Sequence, residues 1–175
     1  RGRQGTEWAI ASHASGELCV LLGGSTLYKL PLNLSDLGQT LKVLPVTLGR
    51  TASTADAVSV TVSEACVRPL APSGFNANKG SATSAADITL GWTRRARVNA
   101  AWLNGTDVPL DEGTESYQLQ VFNGTALVRT VVVTAAQTWV YPDATITADG
   151  FTPGQTITFT VAQNSDQGVL GHIAT

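Results

Sequence analysis

The 175-residue sequence contains no methionine and only two cysteines, Cys19 and Cys66. Two cysteines cannot build a disulfide framework. Both sit in strand-like apolar runs, so buried thiols are expected. A single Cys19–Cys66 bridge stays open if their strands are neighbours. Charged residues make up only 14% of the chain, and the net charge is −2. That balance gives no electrostatic reason to expect nucleic acid as a partner. There is no signal-like apolar segment and no run of about 18 apolar residues, so no membrane span is expected. Gly-x-Ser-x-Gly, His-Glu-x-x-His, P-loop and Cys-x-x-Cys motifs are all missing. No catalytic residue, no metal site and no cofactor is therefore expected, and the chain does not read as an enzyme.

Residues that could suggest chemistry have plainer readings. His13 and His172 lie far apart, without cysteine or carboxylate at ligand spacing. Asp111 and Glu112 are adjacent, whereas glycoside hydrolysis needs two carboxylates held across a sugar. Asp143, Asp149 and Asp166 read as isolated turn residues, not a calcium loop. Asn33, Asn104 and Asn123 open formal glycosylation triplets that read as turns. The first residue is Arg1, so the sequence reads as a fragment of a longer protein.

What is present favours strands. Apolar residues reach 43%, ample for a core, and β-branched residues interleave with turn residues. The fold class expected is all-β: a small N-terminal β domain over residues 1–68, then a seven-stranded sandwich over 71–175. The connector Val67-Arg-Pro-Leu-Ala-Pro-Ser73 divides them, because proline resists both helix and central strand. In the first unit strands are expected at Glu7–Ser12, Leu18–Leu22, Thr26–Pro31, Thr40–Leu48 and Ala57–Ala65. The last alternates Val58, Val60 and Val62 with Ser59, Thr61 and Ser63, the period of a half-buried strand. Gly23-Gly24-Ser25 reads as a hairpin turn, and Ser35–Gly38 as at most one helical turn. So small a unit is marginal alone; upstream chain or packing on the second unit would complete it.

In the second unit strands are expected at Pro72–Ala77, Asp87–Arg94, Glu115–Phe122, Ala126–Thr134, Thr138–Tyr141, Gln155–Ala162 and Val169–Thr175. Ile88, Leu90 and Trp92 share one face, as do Tyr117, Leu119 and Val121. Asn123-Gly124 marks a hairpin, since both residues accept positive φ. Seven strands in about 100 residues is the arithmetic of a sandwich.

That order resembles a fibronectin type III domain. The first strand carries proline, the second a tryptophan (Trp92), the third opens on a tyrosine (Tyr117), and Phe151-Thr-Pro-Gly154 precedes the sixth. The chain departs from the family at Ile157, where a tyrosine usually stands. The tyrosine-corner hydrogen bond is then absent, and another contact must fix that crossing.

A second resemblance spans nearly the whole chain. It rests on Gln4-Gly-Thr-Glu-Trp8, Pro31-Leu32, Leu37-Gly38, Arg68–Pro72, Leu90-Gly-Trp-Thr-Arg-Arg-Ala-Arg97, Trp102, Val108-Pro-Leu110, Glu112, Tyr117 and Arg129-Thr130. These patches resemble the C-terminal region of the large TIM-barrel-like-domain-containing, host-specificity protein at the tail tip of gene transfer agents and related siphophages. The resemblance implies a structural role in a hub or baseplate, homotrimeric in the full-length protein. Other tail-tip proteins are the implied partners, with a host cell-surface receptor or glycan beyond them. The implied location is the distal tip of the virion tail, with bacterial cytoplasm during assembly.

The densest charge lies in one inter-strand loop. Three of eight arginines fall within Arg94–Arg97, and four of thirteen acids within Asp107–Glu115. We take Arg94, Arg95, Arg97, Trp102, Asp111 and Glu112 as the candidate interaction surface. Three uses stay open. The arginines clamp the loop's own acids, or with Trp102 they anchor a neighbouring subunit, or they hold a sugar or phosphate. A carbohydrate-binding module is the alternative function; it would stack sugar on Trp102 with a second aromatic such as Trp8 or Trp139.

Overall fold

The computed structural model describes residues 11–18, 30–80, 86–97 and 108–175. The chain falls into two compact units, one comprising Ala11–Cys66 and the other containing Val67–Thr175. Each is described by itself.

In the Ala11–Cys66 unit, β1 (Thr40–Val43) pairs antiparallel with β2 (Val58–Thr61). Both are shorter than their sequence pattern suggests. The register sets Leu41 opposite Val60 and Val43 opposite Val58. With period-2 side chains, those four residues share one face. Thr40, Lys42, Ser59 and Thr61 take the other, where the Thr40 and Thr61 hydroxyls lie 3.0 Å apart. Every residue of β2 is exposed, contrary to the half-buried strand expected. Within this unit Leu30, Leu32 and Val62 border the apolar face. Leu34–Asp36 forms one 3₁₀ turn, opened by Asn33, whose N–H donates to the Asp36 carboxylate at 2.8 Å. Glu64–Cys66 forms another, and there Cys66 is exposed, not buried in a strand as expected. Cys19 lies outside the described residues. So do most of the strands expected at Glu7–Ser12, Leu18–Leu22 and Thr26–Pro31, and the Gly23–Ser25 turn.

The Val67–Thr175 unit holds two three-stranded sheets. One has the order β3 (Ser73–Lys79), β4 (Ile88–Thr93), β7 (Thr138–Tyr141). The other has the order β6 (Ala126–Thr134), β5 (Ser116–Asn123), β8 (Thr158–Gln163). All pairings are antiparallel. Placing the first, second and fifth strands against the third, fourth and sixth makes this a fibronectin type III-like β-sandwich.

Its core follows from phase. β4 buries Ile88, Leu90 and Trp92, and β5 buries Tyr117, Leu119 and Val121. Tyr141, Phe151, Phe159 and Val161 complete it. Trp92 stands edge-on to Tyr117 with ring centroids 5.1 Å apart, a favourable aromatic geometry.

Several details depart from the sequence pattern. The two-residue hairpin loop is Gly124-Thr125, since Asn123 still pairs with Ala126 in the ladder. Gly124 carries φ +60°, which lets it lead a type II′ turn without help from Asn123. A short helix, α1 (Asp143–Ala148), stands where only turn residues were expected. The seventh strand is reduced to two bridges, one from Asn164 just past β8 to Leu170 and one from Val161 in β8 to Ala174. Between them Gly171 N–H donates to the Gln163 carbonyl at 2.8 Å, and His172 N–H to the Pro69 carbonyl at 2.9 Å. The segment therefore divides its hydrogen bonds between β8 and the proline connector. Pro69 is fully buried, so the connector is part of the sandwich.

Candidate interaction site

Arg94 directly follows β4 in phase with Trp92, so it continues the inward face at the end of the core. Its guanidinium donates to Glu115 Oε2 at 3.1 Å and to the Val108 carbonyl at 3.1 and 2.7 Å. Glu115 leads into β5, so the pair joins the two sheets. Arg94 and Glu115 side chains keep only 14% and 16% of their exposure, which weakens solvent screening. Tyr117 adds a third member, donating to Glu115 Oε1 at 2.8 Å. Burial, then the Glu115 carboxylate, hold the Tyr117 phenol well above its ordinary 10.

Arg97 meets the acidic limb. Its Nη2 lies 2.5 Å from Glu112 Oε1, and its backbone N–H donates to Asp111 Oδ2. Glu112 keeps 4% of its side-chain exposure and also accepts the Asp166 N–H at 3.0 Å. Asp166, expected as an isolated turn residue, accepts the Gly113 and Thr114 amides. Arg95 turns elsewhere, its Nη1 lying 3.4 Å from the Ala71 carbonyl. The structure thus gathers Arg94, Arg97, Asp111 and Glu112 at the loop, while Trp102 lies outside the described residues. Trp8 does too, so neither indole of the glycan reading beyond Trp139 is described. Trp139 is partly buried and stacks on Tyr141 at 5.2 Å and 23°.

Chemically this cluster behaves as a set of acceptors and donors already engaged with one another. Among the described residues no group of three or more His, Cys, Asp or Glu side chains could hold a metal ion. Contrary to the sequence reading, His13 does have a carboxylate at close spacing: Glu17, four residues on and exposed, lies 2.8 Å from its Nδ1.

Sequence spacing missed a second cluster. On β6, Arg129 stands in phase with the inward Val131 and Val133. It reaches Asp149, just past α1, with Nε–Oδ2 at 2.6 Å and Nη2–Oδ1 at 2.7 Å. Tyr141, fully buried at the end of β7, also donates to Asp149 Oδ2. The Arg129 bonds hold the Asp149 carboxyl below its usual range. Burial, then the bond to Asp149, push the Tyr141 phenol up to about 12. This cluster ties the edges of both sheets to the connection between β7 and β8, the crossing left without a tyrosine corner by Ile157. An arginine within a valine stripe was the one signal available.

The third feature is the apolar face of the β1–β2 ribbon. Leu30, Leu32, Leu41, Val43, Val60 and Val62 line a groove of about 250 Å³. Val58 beside it is 51% exposed and Val60 43%.

No protein-family model matches the chain. No curated protein matches it either. Among solved structures it is similar to the rat CD45 extracellular region, domains d3–d4, at 15% identity and TM-score 0.42, over 94% of this chain and 77% of that one.

Proposed function

We propose that this chain is a structural module of a phage or gene-transfer-agent tail tip, part of a hub or baseplate, and works by protein–protein contact. The tail-tip assignment rests on the spaced sequence patches described above, from Gln4–Trp8 to Arg129-Thr130. The mode of action is carried by one observation, the apolar ribbon face on which Val58 and Val60 are exposed and Leu41 and Val43 half-buried, with exposed Leu30 and Leu32 beside it. A contiguous apolar patch rimmed by polar residues marks an interaction surface. In this reading the sandwich is a rigid spacer whose charges are engaged internally, and the full-length protein is a homotrimer. Attachment to a host receptor or glycan is a further role of the same assembly.

Two measurements test the two parts separately. Gold labelling of the full-length protein in intact particles should put label at the distal tail tip; label on the head or none on particles would overturn the assignment. Val58→Asp with Val60→Asp in the full-length protein should leave it accumulating but absent from assembled tips. Normal numbers of complete particles from that variant would rule out the ribbon as the contact.

A further inference from the structure

We propose that residues 142–151 form a strap that opens as a unit separate from the sheets and is latched by Arg129, Asp149 and Tyr141. Three observations carry this. The first is the hydrogen bonding of the strap. Thr145 and Ile146 N–H donate to the Pro142 carbonyl, Asp149 to Thr145, Gly150 to Thr147 and Phe151 to Ile146, at 2.9 to 3.2 Å. These bonds run within the strap, so it can lift without breaking a rung of either sheet.

The second is its weak intrinsic stability. α1 has only six residues, Asp-Ala-Thr-Ile-Thr-Ala, and no side-chain hydrogen bond caps its N-terminus at Pro142. A helix this short does not hold itself in water. Its buried anchors are Ile146 and Phe151. A recess of about 80 Å³ adjoins them, lined also by Lys79, Gln155 and Ile157.

The third is how the strap is held. At its start, Asp143 N–H donates to Asp87 Oδ1 at 2.9 Å in an exposed setting. At its far end Asp149 takes the paired bonds from Arg129 on β6 and the bond from Tyr141 on β7. Charge-assisted, bidentate bonds are the strong ones, and here they add to the burial of Ile146 and Phe151 in holding the segment. Local opening units are drawn from segments of this kind.

Hydrogen exchange on the 175-residue chain tests the strap and its latch. In the wild type, the Ile146, Gly150 and Phe151 amides should exchange faster than Leu119 and Val121. Asp149→Asn should speed the strap amides further by about ten- to a hundredfold, the range for losing charge-assisted bonds, while Leu119 and Val121, which open only with the sheets, stay the slower set. Tyr141→Phe should speed the strap amides less, through the loss of one donor. Wild-type strap amides exchanging in step with Leu119 would overturn the separate unit, whatever the variants do. Strap rates that stay the same in Asp149→Asn would overturn the latch.

Discussion

The two units carry the same alternating apolar pattern and reach different ends. β4 reads buried and open in turn through Ile88, Leu90 and Trp92, and β5 does the same through Tyr117, Leu119 and Val121. In β2, Val58 and Val60 alternate with Ser59 and Thr61, yet all four are exposed. Among the described residues of Ala11–Cys66, Val62 alone is buried. Alternation makes a face; a second apolar layer makes a core. The sandwich supplies that layer from its own second sheet, whereas the Ala11–Cys66 unit has only the two-stranded β1–β2 sheet among its described residues. A two-stranded ribbon is marginal in water for this reason.

Truncation inside the sandwich should have the largest effect. Leu119 is fully buried between the sheets. Leu119→Ala should cost about 2–5 kcal/mol through lost transfer energy and the cavity left behind. Exchange of the Val121 amide under native conditions would measure it. A cost below about 1 kcal/mol would mean that the sandwich core is as loosely held as the ribbon.

Next comes the join between connector and sandwich. A Cβ added at Gly171 would lie 2.7 Å from the Gln163 carbonyl oxygen and 3.0 Å from that of Pro69. Both are backbone atoms, so one must move. Gly171→Ala should cost about 1–3 kcal/mol, the usual range for overpacking, read as an earlier urea midpoint of the same exchange-monitored transition. A neutral result would show that the 169–175 segment yields, and that the sandwich edge is softer than its sheets.

Acid should separate the units again, by a smaller amount. The Asp149 carboxyl is held below its ordinary range by Arg129. A carboxyl with a depressed folded pKa contributes stability that is complete above its unfolded value, near 3.9, and is lost as pH falls through the folded one. The sandwich should therefore weaken below about pH 4, and Asp149→Asn should remove that part of the acid dependence. Strands β1 and β2 contain no carboxylate, so their pairing should lack this component. Thermal melts of both proteins between pH 3 and 6, followed by exchange of strand amides, would decide it.

Much of the sandwich was legible because phase and turn chemistry are local. Trp92 and Tyr117 announce their strands, and Gly124 its hairpin, although the turn moved by one residue. α1 was not legible, because Thr-Ile-Thr is a poor helical sequence and its support comes from strand neighbours. Arg94 and the acids were visible as charge, but the loop alone could not show that Glu112 would be buried while Arg95 turned to Ala71. The Arg129–Asp149 pair spans 20 residues with no spacing rule; only the misfit of an arginine beside Val131 and Val133 hinted at it. The ribbon's exposed face was hidden because Val58 and Val60 carry the same pattern as a covered strand.

The smallest expected effect is the sharpest test of that last point. Val60 sits opposite Leu41 and is 43% exposed. Deleting its methyl groups removes atoms that already face water in part. Val60→Ala should therefore change the stability of the β1–β2 pairing by no more than about 0.5 kcal/mol, as surface substitutions do. The readout is exchange of the Leu41 and Val43 amides in the 175-residue chain, beside the Leu119→Ala measurement in the sandwich. A cost above about 1.5 kcal/mol would place Val60 in a packed core within this chain. The ribbon would then hold its own second layer, and its apolar face would no longer be available to a neighbouring protein.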